Sequence, residues 1–177
     1  MTLSPRLRKL TLFAHLTSSV GWLGAVAAFL GLAVAGATSP DAQMLRAVDR
    51  SMELIAWYVI VPLCFVSLLT GLALSLGTAW GLLRHYWVVV KLLITPPATL
   101  ILLVHMRPIG FLAGAASRPV PTTSGKDLQG LQNLLMTAAG VALLALLVIT
   151  TLSVYKPRGM TSYGWRKRGE YSDPSLP

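Results

Sequence analysis

The chain carries little charge for its length. Only 12% of its 177 residues are Asp, Glu, Lys or Arg, and just six of them are acidic. Soluble domains contain about 25% charged residues. This low share, together with 54% hydrophobic residues and a mean hydropathy of +0.66, excludes an ordinary soluble globular domain and predicts that the chain has a lipid bilayer as its solvent.

Cysteine is nearly absent too. The single thiol, Cys64, excludes an internal disulfide and any CxxC-type metal or haem-attachment motif, and its expected role is apolar packing. The sequence also lacks a nucleophile triad, a phosphate-binding glycine loop and paired intramembrane carboxylates. These absences argue against a hydrolase and against a proton pump.

Four long apolar segments are present instead, at residues 10–37, 54–76, 86–106 and 131–155. Each exceeds the roughly 20 residues that a helix needs to cross the hydrocarbon core. Because backbone groups in lipid must bond internally, such segments are expected to be helical. The sequence therefore predicts an all-α polytopic membrane protein, a bundle of four transmembrane helices followed by a basic tail at 156–177. The first apolar segment is too long for a cleaved signal peptide and is expected to be retained.

The connections between these segments are predicted to differ in structure. Residues 43–52 have a helical pattern and are expected to extend the second helix on the side opposite the termini. The stretch 107–130 contains Pro108, Pro119 and Pro121 with several Gly and Ser residues, which favours irregular structure.

The basic residues are unevenly divided between the two sides of the membrane. The side of the termini holds nine (Arg6, Arg8, Lys9, Arg84, Lys156, Arg158, Arg166, Lys167 and Arg168) and the other holds five (Arg46, Arg50, Arg107, Arg118 and Lys126). This asymmetry predicts cytoplasmic N- and C-termini. Orientation in the membrane also explains most of the net charge of +9, so nucleic acid is not expected as a partner. The basic tail is expected to bind anionic lipid, at about 1 kcal/mol per Lys or Arg near the surface.

Two ionisable residues within the apolar segments are the strongest candidates for function. Lys91 lies in the third segment and His15 in the first, each about five residues from the cytoplasmic boundary. The first and third helices run parallel, so the two side chains are expected at the same depth. Such a pair could hold a cofactor, relay a proton or bind an anionic group. A snorkelling lysine and a histidine bonded to a neighbouring helix are the structural alternatives.

Two further residues belong to this cofactor-binding hypothesis. Trp22 follows His15 by seven residues, which places both near one face of the helix, a surface suited to a flat ring. His85 is a second histidine near the same end of the bundle, but it is offset from His15 by about six residues, or ~9 Å. A bis-histidine haem is therefore harder to build than a His–Lys or single-His arrangement.

A proline pair interrupts the third apolar segment. Pro96 and Pro97 cannot donate backbone hydrogen bonds to Leu92 and Leu93, so the helix is expected to kink or open there. This predicts either a pocket or gate one turn beyond Lys91, or a static kink that shapes packing.

A second candidate site lies at the opposite boundary of the membrane. Met52, Glu53, His105 and Met106 come from helix ends at similar depth, with Met136 nearby. Thioether and imidazole ligands suit copper. Methionine packing and an ion pair between Glu53 and Arg50 or Arg107 are the alternatives.

The combination of His15, Trp22-Leu23-Gly24 and an intramembrane Lys91 resembles a loose group of small bacterial membrane proteins. The group includes the copper-resistance CopD-like and protoporphyrinogen-oxidase HemJ-like families, and an uncharacterised actinobacterial-type family is more similar still. The resemblance covers mainly the first three helices. It implies a four-helix bundle in the bacterial inner membrane, with a haem b, porphyrin or copper site near His15 and Lys91.

Three functions remain open from the sequence. The first is a membrane-embedded cofactor-binding or redox-associated protein. The second is a non-enzymatic subunit that docks to a larger complex, or to itself, through small residues such as Gly21, Gly24, Ala28, Gly31 and Ala35. The third is a small oligomeric transporter with the proline pair as its gate, although no inverted repeat is visible.

Overall fold

The computed structural model describes residues 4–77, 85–116 and 125–155, together with residues 159, 161 and 166, and this part of the chain is all-α. Its elements are α1 (Pro5–Thr38), α2 (Ala42–Ile55), a π-helical turn (Ala56–Ile60), α3 (Val61–Gly77), α4 (Tyr86–Ala116) and α5 (Gly125–Tyr155). Because α2 runs through the π-helical turn into α3, four continuous helices are long and apolar enough to cross a membrane. The predicted four-helix transmembrane fold is confirmed.

The four spans form a closed square of neighbours. The α1 helix packs against α2, α3 and α5, and α4 packs against the same three helices. The first and third spans, α1 and α4, are therefore diagonal to one another and run in the same direction. Any site between them must be enclosed by α3 and α5.

The α2 helix begins at a side-chain cap. Asp41 accepts a hydrogen bond from the backbone N–H of Gln43 at 2.9 Å, which satisfies a donor that has no partner within the helix. Val48 and Met52 on its inner face are buried, and Val48 Cγ1 would lie 3.1 Å from a Cβ at Gly36. The predicted helical extension over residues 43–52 is confirmed, and burial of this face holds it against α1.

The prediction that residues 107–130 are irregular is wrong over most of the range. The α4 helix continues to Ala116 with Pro108 inside it, and α5 already begins at Gly125. Ile109, Leu112 and Ala113 are buried, so packing outweighs the hydrogen-bond donor lost at Pro108. Residues 117–124 lie outside the described residues, as do 78–84 in the predicted turn after the second segment and most of the tail.

Buried side chains are concentrated in one half of the bundle. This half, which we call the packed half, contains α2 with the end of α1, the end of α4 and the start of α5. Its core includes Phe29, Ala33, Val48, Met52, Met106, Ile109, Leu112, Leu135 and Ala139. The other half, at the side of the termini, contains the candidate site.

Candidate functional site

A cavity of about 400 Å³ lies in the half of the bundle opposite the packed half. It is lined by the first part of α1, the end of α3, the start of α4 and the end of α5, so all four spans contribute to its wall. Its walls are mainly apolar and include Trp22 and Trp87. Small-molecule sites have volumes of about 300–1,000 Å³ and the same mixture of apolar walls with a few polar groups.

His15 and Lys91 both line this cavity, with Trp22 beside them. They reach it from the diagonal helices α1 and α4. The structure therefore brings together three of the four residues that the sequence nominated for cofactor binding. Equal depth on parallel helices was the signal that identified the pair.

The hydrogen bonds of His15 determine which ring nitrogen is protonated. Its Nδ1 lies 3.0 Å from the backbone carbonyl oxygen of Ser67 and 3.1 Å from Thr70 Oγ1. Because a carbonyl oxygen only accepts, Nδ1 must carry the proton and donate. Nε2 then holds a lone pair, and the structure gives it no hydrogen-bond partner among the described residues. Metal-ligating histidines use this same tautomer, with the second nitrogen donating to a carbonyl.

Helix α3 is shaped to receive the imidazole. A Cβ at Gly71 would lie 3.0 Å from His15 Cε1, so the absence of a side chain there allows the ring to approach the helix. One turn earlier, the hydroxyls of Ser19 and Ser67 are hydrogen-bonded at 2.8 Å. From the sequence alone, Ser67 and Gly71 are expected only to pack helices together, as small residues in membrane spans do. Thr70 has no distinctive pattern at all, so nothing in the sequence predicts that these residues surround His15.

Lys91 is held inside the bundle by α5. Its Nζ donates to Ser153 Oγ at 2.8 Å and lies 5.7 Å from the centroid of the Trp87 ring. A cation at this distance from an indole face is stabilised by about 0.5–2 kcal/mol. Ser153 in turn donates to the carbonyl of Ile149 at 2.7 Å. The ammonium is therefore positioned at the cavity wall. Nothing in the sequence around Ser153 predicts its role as the partner of Lys91.

The charges around the cavity have one sign. Arg8 and Lys91 contribute positive charge, and no Asp or Glu is among the described lining residues. The acidic residues that the structure describes are Asp41, Asp49, Glu53 and Asp127, all of them on α2, at its cap or at the start of α5. The formal charge of the described lining residues is therefore positive, which favours a ligand with an anionic group.

The cavity also extends to the proline pair. Leu92, Thr95 and Pro96 line it, and α4 remains helical through Pro96 and Pro97. Since Pro96 has no N–H to donate to the Leu92 carbonyl, the hydrogen bond that a regular helix would form between these two residues is missing beside the cavity wall. The structure thus places a pocket where the proline pair predicted one, and the gate remains a prediction.

His85, the fourth candidate for cofactor binding, lies at the start of α4 and is not among the lining residues. Its backbone carbonyl accepts hydrogen bonds from Val88 and Val89 at 3.1 and 3.2 Å, which begins the helix. Its ring centroid is 6.4 Å from that of Trp87. A direct role for His85 at the cofactor stays a prediction.

The residues of the second candidate site lie in the packed half. Met52 and Met106 are both members of the hydrophobic core. Glu53 forms an ion pair with Arg50 at 2.7 Å, one of the predicted alternatives. His105 Nδ1 donates to the carbonyl of Ile101 at 2.8 Å, since a carbonyl only accepts. Within the described ranges no three His, Cys, Asp or Glu residues cluster as a metal site, and copper ligation by the methionines stays a prediction.

Comparison with known proteins adds no relative. No family model matches the chain, and neither a curated protein nor a solved structure matches it. The resemblance to CopD-like and HemJ-like proteins stays a prediction from short motifs.

Proposed function

We propose that the protein is a membrane-embedded tetrapyrrole-binding protein, with haem b as the first candidate ligand. The observation that carries this proposal is the geometry of His15. Its Nδ1 donates to the Ser67 carbonyl at 3.0 Å, which leaves Nε2 with a lone pair, and the residue lines a cavity walled by apolar side chains. This is the environment of an axial haem ligand supported by a backbone acceptor.

The other lining residues fit the same ligand. Trp22 and Trp87 present indole rings of the kind that pack against flat macrocycles, and Arg8 and Lys91 offer cations to propionate carboxylates. Haem would supply one-electron chemistry there, tuned by its axial ligand and by the low polarity of the site. The protein's own contribution is to orient the imidazole through Ser67 and Gly71 and to neutralise the carboxylates.

A bare copper ion suits this cavity less well. The described lining contains one histidine and no Met or Cys, whereas copper sites in proteins usually combine several imidazole, thiolate or thioether ligands. His15 alone, with Lys91 engaged by Ser153, provides too few. The cavity therefore favours a macrocycle that supplies most of the iron's ligands itself.

The first test is an absorption spectrum of detergent-purified protein loaded with haem, recorded oxidised and then reduced with dithionite. We expect a Soret band that shifts on reduction in the wild type and is lost in His15→Ala. His105→Ala is the matched control, since that ring bonds within its own helix, and it should leave the spectrum unchanged. Equal spectra from the two variants would remove His15 as the ligand, and a wild type that binds no haem would overturn the proposal.

We further propose that the protein lies in the bacterial inner membrane with both termini cytoplasmic. The excess of Lys and Arg on the side of the termini supports this orientation. In a Cys64→Ala background, Ser4→Cys should react with a membrane-impermeant maleimide only after spheroplasts are opened, because Ser4 is exposed on the inner side. Asp41→Cys, exposed at the other end of α1, should react in intact spheroplasts. The reverse pattern would contradict the proposed orientation.

The two alternative functions stay predictions. Docking to a partner or to a second copy would use the outward part of the α1 stripe, where Gly24 and Gly31 meet nothing within 4 Å. Gly21 and Gly36, by contrast, pack against Leu63 and Val48 inside the bundle. Binding of anionic lipid by the tail concerns residues that lie mostly outside the described ranges.

A further inference from the structure

The residues that line the cavity differ in exposure from one helix to another. Among the lining residues that the structure describes, those on α3 and α4 are buried or half-buried, and every exposed one belongs to α1 or α5. The exposed lining residues are Arg8, Leu12, Leu16 and Val20 on α1 and Val154 on α5. A side chain that borders a cavity and is also exposed stands at its opening. The cavity therefore opens on the side of the bundle formed by α1 and α5.

The polarity of the exposed residues at this opening indicates the medium that it faces. Leu12, Leu16 and Val20 are 54%, 62% and 58% exposed, and their spacing of four residues places them in one row along α1. All three lie on α1, which is long and apolar enough to cross a membrane, and the medium around them is expected to be hydrocarbon. Arg8 stands at the polar end of the row, about 18 Å from Val20 at 1.5 Å per residue. The opening is thus apolar along its length and cationic at its headgroup end.

We propose that the cavity is filled sideways from the bilayer, through this opening between α1 and α5. Its ligand is then an amphiphile dissolved in the membrane, with a carboxylate or phosphate on an apolar body. The anionic group lies near Arg8 and Lys91, and the apolar body passes Leu12, Leu16 and Val20. The inference deepens the proposed function and rests on it, because both place the ligand in the same cavity. A ligand delivered from water would require a polar entrance, and the described lining residues that are exposed inside the span are apolar.

Trp22 provides a reporter for this route. It lines the cavity but is only 6% exposed, so a lipid chain contacts it only by entering. A variant with Trp22 as its sole tryptophan, the other four replaced by Phe, is reconstituted in phosphatidylcholine vesicles. A minor fraction of the lipid has brominated chains, which quench indole fluorescence on contact. In one sample this brominated lipid is phosphatidic acid, and in the other it is phosphatidylcholine. We expect phosphatidic acid to quench more strongly, with an enrichment on the order of fivefold for each nearby cation.

Two substitutions test the opening and the charge separately. Val20→Phe narrows the opening and should reduce quenching, whereas Val34→Phe, on the same helix with 45% exposure and outside the lining, should not. Lys91→Met should remove much of the preference for the anionic lipid. If the four Phe substitutions impair folding, the difference between wild type and Trp22→Phe gives the same signal. Equal quenching in Val20→Phe and Val34→Phe, or no preference for phosphatidic acid, would overturn the inference.

His15→Ala separates this inference from the proposed function. Lateral entry needs no iron ligand, so quenching should persist in that variant while haem binding is lost. A wild type that binds no haem but shows quenching dependent on Val20 and Lys91 would sustain lateral entry of an anionic amphiphile and refute the tetrapyrrole. A wild type that binds haem but shows no such quenching would refute lateral entry and would leave the tetrapyrrole proposal in place.

Discussion

Replacing Gly71 by valine is expected to lower the affinity for haem by about 10–100-fold, the usual effect of disturbing the group that orients a ligating histidine. A Cβ at this position already lies 3.0 Å from His15 Cε1, and a branched side chain adds more atoms in the same direction. The imidazole must then leave the Ser67 carbonyl and Thr70 Oγ1, to which Nδ1 is bonded at 3.0 and 3.1 Å. Haem titration followed in the Soret region measures the effect.

The control for this substitution is Gly140→Val in α5. A Cβ there meets nothing within 4 Å, so the variant has the same change in volume and the same change in backbone freedom without the contact. Gly71→Ala should be intermediate, because a single methyl group requires the ring to move by only a few tenths of an ångström. Equal affinities in Gly71→Val and Gly140→Val would show that the orientation of His15 does not matter for the ligand.

Leu135→Ala is expected to destabilise the protein by about 2 kcal/mol or slightly more, at the lower end of the range for buried leucines. Leu135 is 2% exposed and belongs to the packed half, so truncation leaves a void that its neighbours fill only in part. The effect is at the lower end because lipid, not water, solvates the separated helices, and packing is the main contribution that is lost. Titration with sodium dodecyl sulfate, followed by loss of helix packing, gives the difference in free energy of unfolding.

Leu134→Ala is the matched control, since the preceding residue on the same helix is 49% exposed. Its truncation should change the free energy of unfolding by less than about 0.5 kcal/mol, as is usual for exposed positions. If both variants lose the same stability, the burial of Leu135 in the packed half makes no special contribution to the free energy of unfolding.

Much of the fold follows from the sequence because the hydropathy and the length of a segment depend only on residues that are consecutive in the chain. The four spans depend on runs of apolar residues that no tertiary partner alters, and the structure has helices at each of them. The ends of the helices were harder to predict. Pro108 and the glycines after it indicate a loop by local rules, but burial of Ile109 and Leu112 extends α4 beyond them.

The candidate site was predictable only in part, and for a definable reason. The depth of His15 and Lys91 follows from the rise per residue and from the number of crossings, both of which are readable in the sequence. The residues that contact His15 and Lys91 cannot be identified from the sequence. Ser67, Gly71 and Ser153 are small residues without a periodic signal, and their roles depend on which helix is adjacent and on how it is rotated.

The sequence by itself thus determined that the chain is a four-span helical protein with a histidine and a lysine at one depth, because these properties are local sums along the chain. Only the tertiary structure decided which nitrogen of His15 bears the proton, what holds Lys91 and where the bundle stays open. Those features arise from contacts between helices distant in sequence, such as Ser67 with His15 and Ser153 with Lys91. The orientation of one helix against another is specified by all of the packed side chains together, and no single segment encodes it.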